Sequence, residues 1–167
     1  MLRKRIFIEG AFYHVTSRTN DKIKVFAGNL GRKIMELSLM EAKEKFHFSL
    51  TNYCVMPTHI HLLIRPKPGT NLSDIMCSLK TKSAKRWNRI HGSEDHMWGK
   101  RYFAKVIRND SHYDTVMNYI DQNPVKSGLV VNPYDWKASG AYQKYHNLTD
   151  IVDYEPIERI HYLKLLE

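Results

Sequence analysis

At 167 residues the chain is long enough for a single domain with its own core, and its 43% hydrophobic content is that of an ordinary globular protein. The net charge of +9 and pI near 9.5 point toward an anionic partner such as nucleic acid. No apolar run is long enough to span a bilayer, and the start Met1-Leu2-Arg3-Lys4-Arg5 lacks the apolar core of a secretion signal, so the expectation is a cytoplasmic protein that does not meet the membrane.

Ala11 to Ser17 is rich in aromatic and β-branched residues and predicts a first strand, followed by a polar loop at Thr19 to Lys22. A helix is predicted from about Gly31 to Lys45, with Ile34, Leu37, Leu39, Met40 and Ala42 on its apolar face. His47 to Met56 reads as a second strand, turned by Pro57-Thr58 into a third that carries His59 and His61. Cys54 and Cys77 are isolated, which indicates neither a disulfide framework nor a cysteine zinc site and fits a reducing compartment. Arg65 to Asn71 is turn chemistry, and Asn71 is placed to cap a helix running to about His91. That helix has Leu72, Ile75, Met76, Leu79 and Ala84 on one side and Lys80, Lys82, Lys85, Arg86 and Arg89 on the other. Gly92 to Lys100 reads as a loop, Tyr102 to Arg108 as a fourth strand, and a third helix starts near Asp110 and stops before Pro124. The order β-α-β-β-α-β-α predicts an α+β protein of ferredoxin-like (RRM-like) type, an antiparallel sheet with helices on one face. Residues 1–145 are taken as one domain and 146–167 as its appendage, with a short aromatic segment at Ser139 to Tyr145 and a terminal helix from Pro156 to Leu166.

In Met56-Pro57-Thr58-His59-Ile60-His61-Leu62-Leu63-Ile64-Arg65, strand alternation turns Ile60, Leu62 and Ile64 one way and His59, His61 and Arg65 the other. Two neutral imidazoles on one rigid face suit a divalent metal, and the bland alternative is a pair of partly buried, hydrogen-bonded histidines. A histidine-triad hydrolase would need a third histidine where Leu63 stands, and the repeated His-x-Thr or His-x-Ser element of a two-histidine phosphoesterase is missing. Asn123 can add an amide oxygen suited to Mg²⁺ or Mn²⁺, with Gln122 and Asp121 as alternative donors. Tyr119 lies four residues before Asn123, on the same helix face, at the edge of a stripe formed by Tyr113, Val116, Met117 and Ile120. A phenol is a poor nucleophile at neutral pH, and a metal that polarises a phosphate lowers the barrier to its attack. Lys82, Lys85, Arg86 and Arg89 form a basic face able to track phosphates, or simply a solvated helix surface. Tyr102 with Phe103, or Tyr13 with Trp98, can stack unpaired bases or pack a core.

Four separated stretches together resemble the single-tyrosine HUH transposases (histidine, bulky apolar residue, histidine), and most nearly their REP-associated group. These are Phe12-Tyr13-His14-Val15-Thr16-Ser17-Arg18, then Met56 to Leu63, then Trp98-Gly99-Lys100-Arg101-Tyr102-Phe103 with Tyr119 to Val130. The resemblance implies a domain that cuts and rejoins single-stranded or hairpin DNA, as a monomer or a homodimer. It implies His59 and His61 as the metal pair, Tyr119 as the nucleophile that forms a 5′-phosphotyrosine, and Arg18 and Arg101 among the DNA contacts alongside the basic helix. Many insertion-sequence members carry glutamine four residues after the tyrosine; this chain has Asn123, a feature that suits the REP-associated group. Two competing expectations remain from the same sequence: a degenerate module that binds structured DNA or RNA without cutting it, and an RNA-binding sheet of RRM type, which lacks here the aromatic motif on its central strand.

Overall fold

A computed structural model describes residues 7–148 and 150–153. Its elements are β1 (Tyr13–Thr19), α1 (Asn29–Phe46), β2 (Ser49–Met56), β3 (His59–Arg65), α2 (Leu72–His91), β4 (Trp98–Val106), α3 (Asp110–Lys126) and α4 (Gly140–Tyr145), with 3-10 turns at Asn20–Lys22 and Pro133–Asp135. The four strands form one antiparallel sheet in the order β2-β3-β1-β4, the order a β-α-β-β-α-β chain gives when each helical crossover skips one strand position: β3 fills the gap between β1 and β2, and β1 the gap between β3 and β4. Pro57-Thr58 closes the β2–β3 hairpin, pairing Met56 with His59.

One sheet face carries Tyr13, Val15, Tyr53, Val55, Ile60, Leu62 and Ile64 and packs on α1 and α2 through Met35, Leu39, Ile75, Met76 and Leu79. Asn71 caps α2 as its sequence position predicts, its side chain accepting from Ser73 N at 2.8 Å. On α1 the buried residues are Gly31, Ile34, Met35, Ser38, Leu39 and Ala42, whereas Leu37 and Met40 are exposed, so the buried stripe is rotated from the predicted one. The expectation of helices on one face describes α1 and α2 but not α3. That helix lies on the opposite face, where Tyr113, Val116 and Ile120 meet Cys54, Met56, Leu63, Phe12 and Trp136 in a second apolar cluster. The sheet is therefore covered fully on one face and only over its β2–β3 half on the other.

Two boundaries differ from the sequence reading. β4 begins at Trp98 rather than Tyr102, because Trp98 is buried, pairs with Thr19 and donates from Nε1 to Ser83 Oγ at 2.9 Å. α3 runs through Pro124 to Lys126: proline removes only its own N–H, and the N–H groups of Ser127, Gly128 and Leu129 still close on the carbonyls of Asn123, Val125 and Pro124. The outer edge of β2 is covered by later chain, with Val55 N donating to Ala138 O, Asp153 N to Leu50 O, and Leu50 N to Asp153 Oδ2. The predicted terminal helix from Pro156 to Leu166 lies outside the described residues. Among the described residues no helix is long and apolar enough to cross a membrane.

Candidate active site

The site forms where the uncovered half of the sheet meets α3. Alternation and register put His14, Thr16 and Arg18 of β1 on the same face as His59 and His61 of β3, with Thr16 opposite His61 and Arg18 opposite His59. The hydroxyl of Thr16 and Nε2 of His14 each lie 3.1 Å from His61 Nδ1. The Thr58 hydroxyl lies 3.1 Å from His59 Nδ1. Each histidine of the pair is thus anchored at Nδ1, which leaves Nε2 as the nitrogen available to a ligand.

α3 sets Tyr119 above this face. Its ring stands nearly perpendicular to those of His61 and His14, with centroids 5.5 and 5.7 Å away. The His59 and His61 rings are 4.9 Å apart, and His14 stacks on His61 at 5.3 Å. Tyr119 is 42% exposed, so the residue is open to solvent while its ring is in contact with both histidines. Lys126, two turns further along α3, places Nζ 5.7 Å from the Tyr119 ring centroid.

Burial shapes the electrostatics. Desolvation lowers the pKa of His61 to about 3, with smaller contributions from His59, His14 and Arg18. Desolvation likewise takes His59 to about 4, helped by Arg18, and His14 to about 4, helped by His112 and Lys105. All three imidazoles are therefore neutral near pH 7, the state in which a ring nitrogen can ligate a metal. His61 Nε2 is buried and makes no hydrogen bond. An orphaned buried nitrogen, with its ring fixed through the opposite nitrogen, fits a metal ligand and its supporting contact. Among the described residues no group of three His, Cys, Asp or Glu side chains is arranged to hold an ion.

Asn123 is on the same side of α3 as Tyr119, and its Nδ2 donates to Tyr119 O at 2.8 Å. That bond fixes the amide and leaves its oxygen as the donor atom for a ligand. Asp121 is not a substitute: it faces β2, where Oδ1 accepts from Asn52 Nδ2 at 2.8 Å. Arg18 is exposed at the site, and Arg101 is exposed on β4. The basic residues of α2 are on the other side of the sheet from Tyr119. Lys82 and Arg86 pair there with Glu41 of α1, and Arg86 also donates to Ser38 Oγ, whereas Lys85 and Arg89 face solvent. Lys82 and Arg86 thus also serve the α1–α2 seam. Thr16 and Lys126 were not picked out from sequence; the signals available were the two-residue step from His14 to Thr16 and the seven-residue step from Tyr119 to Lys126.

Residues 8–123 match the family model described as IS200-like transposase. A Haemophilus influenzae protein assigned to the REP-associated tyrosine transposases is 27% identical over 150 residues, covering 84% of this chain and 85% of its own length. The REP-associated tyrosine transposase of Escherichia coli K12 is 26% identical over 107 residues, and that alignment covers 64% of this chain and 62% of the relative. Among solved structures, a REP-associated tyrosine transposase bound to a REP hairpin superposes with a TM-score of 0.75 at 22% identity, covering 96% of this chain and 98% of the other. A Deinococcus radiodurans protein described as a transposase superposes with a TM-score of 0.52 at 20% identity, covering 73% of this chain and 97% of the other.

Proposed function

Because this chain belongs to the IS200-like transposase family, we propose that it cuts and rejoins single-stranded DNA beside hairpins, using Tyr119 as the nucleophile. The observation that carries this reading is the position of Tyr119, itself exposed, with its ring against the neutral imidazoles of His61 and His14 of its own chain. One chain thereby contains both the nucleophile and the histidine pair, and in this reading it acts in cis.

The Tyr119 hydroxyl gives up its proton and its oxygen attacks a backbone phosphorus. A new O–P bond forms, the P–O3′ bond breaks, and the departing 3′-oxygen takes a proton. The strand is left with its 5′-phosphate on Tyr119 and a free 3′-hydroxyl. Attack by another 3′-hydroxyl reverses the step and reseals DNA, with the energy of the ester retained and no nucleotide cofactor consumed. A Mg²⁺ or Mn²⁺ ion held by Nε2 of His59 and His61 and by the Asn123 amide oxygen would supply polarisation of a phosphate oxygen. Arg18, exposed opposite His59, gives the phosphate a cationic contact. Lys126 sets a positive charge beside the phenol as it loses its proton.

The hairpin is supported by the excess of positive charge and by the REP hairpin bound to the solved relative. Incubation with labelled single-stranded hairpin oligonucleotides in Mn²⁺ or in EDTA, followed by denaturing electrophoresis, tests the reading. The expected result is a metal-dependent protein–DNA adduct that disappears in Tyr119→Phe. Tight, salt-sensitive binding with no adduct across a broad hairpin set would instead assign a binding module.

A further inference from the structure

β4 presents its side chains to two different environments. Tyr102, Ala104 and Val106 pack toward the α1–α2 core, whereas Arg101, Phe103 and Lys105 are all exposed. The exposed set is on the catalytic face: Phe103 is opposite Thr16, whose hydroxyl contacts His61, and Lys105 is opposite His14. Phe103 is 61% exposed, and α3 covers only the β2–β3 half of this face. A solvent-facing phenylalanine on a strand is usually unremarkable by itself. This one is flanked along its strand by two cations and lies in the same cross-strand row as Thr16, His61 and Cys54. Adjacent strands are roughly 4.8 Å apart, which puts the Phe103 backbone roughly 10 Å from that of His61.

Resting on the strand-transfer reading, we propose that Phe103 is a stacking platform for an unpaired base in the single-stranded flank of the hairpin, with Arg101 and Lys105 holding the adjoining phosphates. Charge complementarity selects the occupant: an apolar protein partner would bring no countercharge to the two cations, whereas a single strand offers a π-face to the ring and a phosphate to each side. The platform positions the flank so that the phosphate next to the hairpin comes to Tyr119. Because stacking accepts any base, this contact holds the strand without reading its sequence, and sequence discrimination must come from elsewhere on the DNA.

The test uses the whole chain and two sets of hairpin oligonucleotides, one flankless and one with an unpaired flank carrying 2-aminopurine at successive positions. Wild type is expected to bind the flanked hairpin more tightly and to quench 2-aminopurine at one position near the cleaved phosphate. Phe103→Ala should lose that quenching and weaken binding of the flanked hairpin roughly five- to a hundredfold, while flankless binding stays constant. Phe103→Trp should restore both, and Phe103→Leu, which keeps the apolar surface without the ring, should not. An abasic nucleotide at the quenched position should make wild type and Phe103→Ala equivalent. The proposal is overturned if Phe103→Ala keeps the wild-type preference for flanked DNA, or if Leu restores it as well as Trp. These outcomes separate from those for catalysis: a Phe103-dependent flank preference without any Tyr119 adduct supports the platform while removing strand transfer, and an adduct with no Phe103 dependence does the reverse.

Discussion

Asn52 donates from Nδ2 to Asp121 Oδ1 at 2.8 Å, tying the irregular register of β2 to α3 two residues beyond Tyr119. The same amide group reaches Met117 O at 3.4 Å, and Asn52 Oδ1 accepts from Tyr53 N at 2.9 Å. Gly140 fits against this side chain because it has no Cβ; one built there would stand 2.2 Å from Asn52 Oδ1. Asn52 is fully buried, so its polar atoms depend on these partners. Asn52→Ala is expected to destabilise the protein by about 1–3 kcal/mol, the usual cost of leaving a buried group without its hydrogen bond. Adduct formation should fall further than hairpin binding, because α3 loses the contact that sets Tyr119 over His61. Urea denaturation and adduct kinetics check this, and unchanged stability would show that the bond does not hold α3.

The three histidines predict an acid-sensitive fold. Their folded pKa values, about 4 for His14 and His59 and about 3 for His61, lie below the unfolded value of roughly 6.5. As pH falls below that value the unfolded chain takes up protons that the folded chain refuses, so stability is complete above the unfolded pKa and is lost on acidification toward the folded values. Each histidine contributes a slope of up to about 1.4 kcal/mol per pH unit within this window. Urea midpoints measured between pH 7 and pH 4.5 should fall steeply for wild type and less steeply for His14→Asn. Equal slopes would mean that His14 is solvated in the folded protein.

Metal binding gives a readout independent of DNA. With Mn²⁺ at about a hundred times its Kd, the folded state gains about 2.7 kcal/mol, visible as a raised Tm that chelation reverses. His61→Ala should remove the shift. Thr16→Val should keep it but demand roughly ten times more metal or beyond, since it deletes a hydroxyl that holds the Nδ1 side of His61. A Tm shift in His61→Ala equal to that of wild type would place the ion elsewhere.

Local pattern carried much of this fold. Alternation alone put His59 and His61 on one face of β3, Pro57-Thr58 marked the hairpin, and Asn71 marked the start of α2. The features that escaped depend on contacts distant in sequence. Nothing within Asp110–Lys126 says which sheet face it will cover; that follows from Phe12, Cys54, Met56 and Trp136 forming the other half of its cluster. Trp98 joins β4 because Ser83 accepts its indole N–H, and the pairing of Lys82 and Arg86 with Glu41 requires α1 and α2 to be adjacent. Thr16 gains its role only when β1 is set in register beside β3.

That pairing separates two pairs of cations on α2. Lys82→Ala and Arg86→Ala should reduce stability modestly, by about 0.2–1 kcal/mol each, while leaving the salt dependence of hairpin binding unchanged. If the exposed Lys85 and Arg89 contact phosphates of the hairpin stem, their alanine variants should each lower the slope of log K against log salt by about one, without changing which flank nucleotide is quenched. A salt titration of the four variants decides the matter, and wild-type slopes in all four would remove α2 from the DNA path.

Lys126 supplies the sharpest separation of chemistry from binding. Its ammonium lies over the Tyr119 ring rather than out along the sheet, so it acts on the phenol more than on the bulk of the DNA. Both residues are open to solvent, which screens the interaction and keeps its effect moderate. Lys126→Met should therefore slow adduct formation roughly tenfold, equivalent to about 1.4 kcal/mol in the barrier, with hairpin affinity nearly unchanged. Lys126→Arg, which keeps the charge, should recover most of the rate. Adduct rates and hairpin affinities of the two variants check the assignment: a loss of affinity in place of a loss of rate would make Lys126 a phosphate contact.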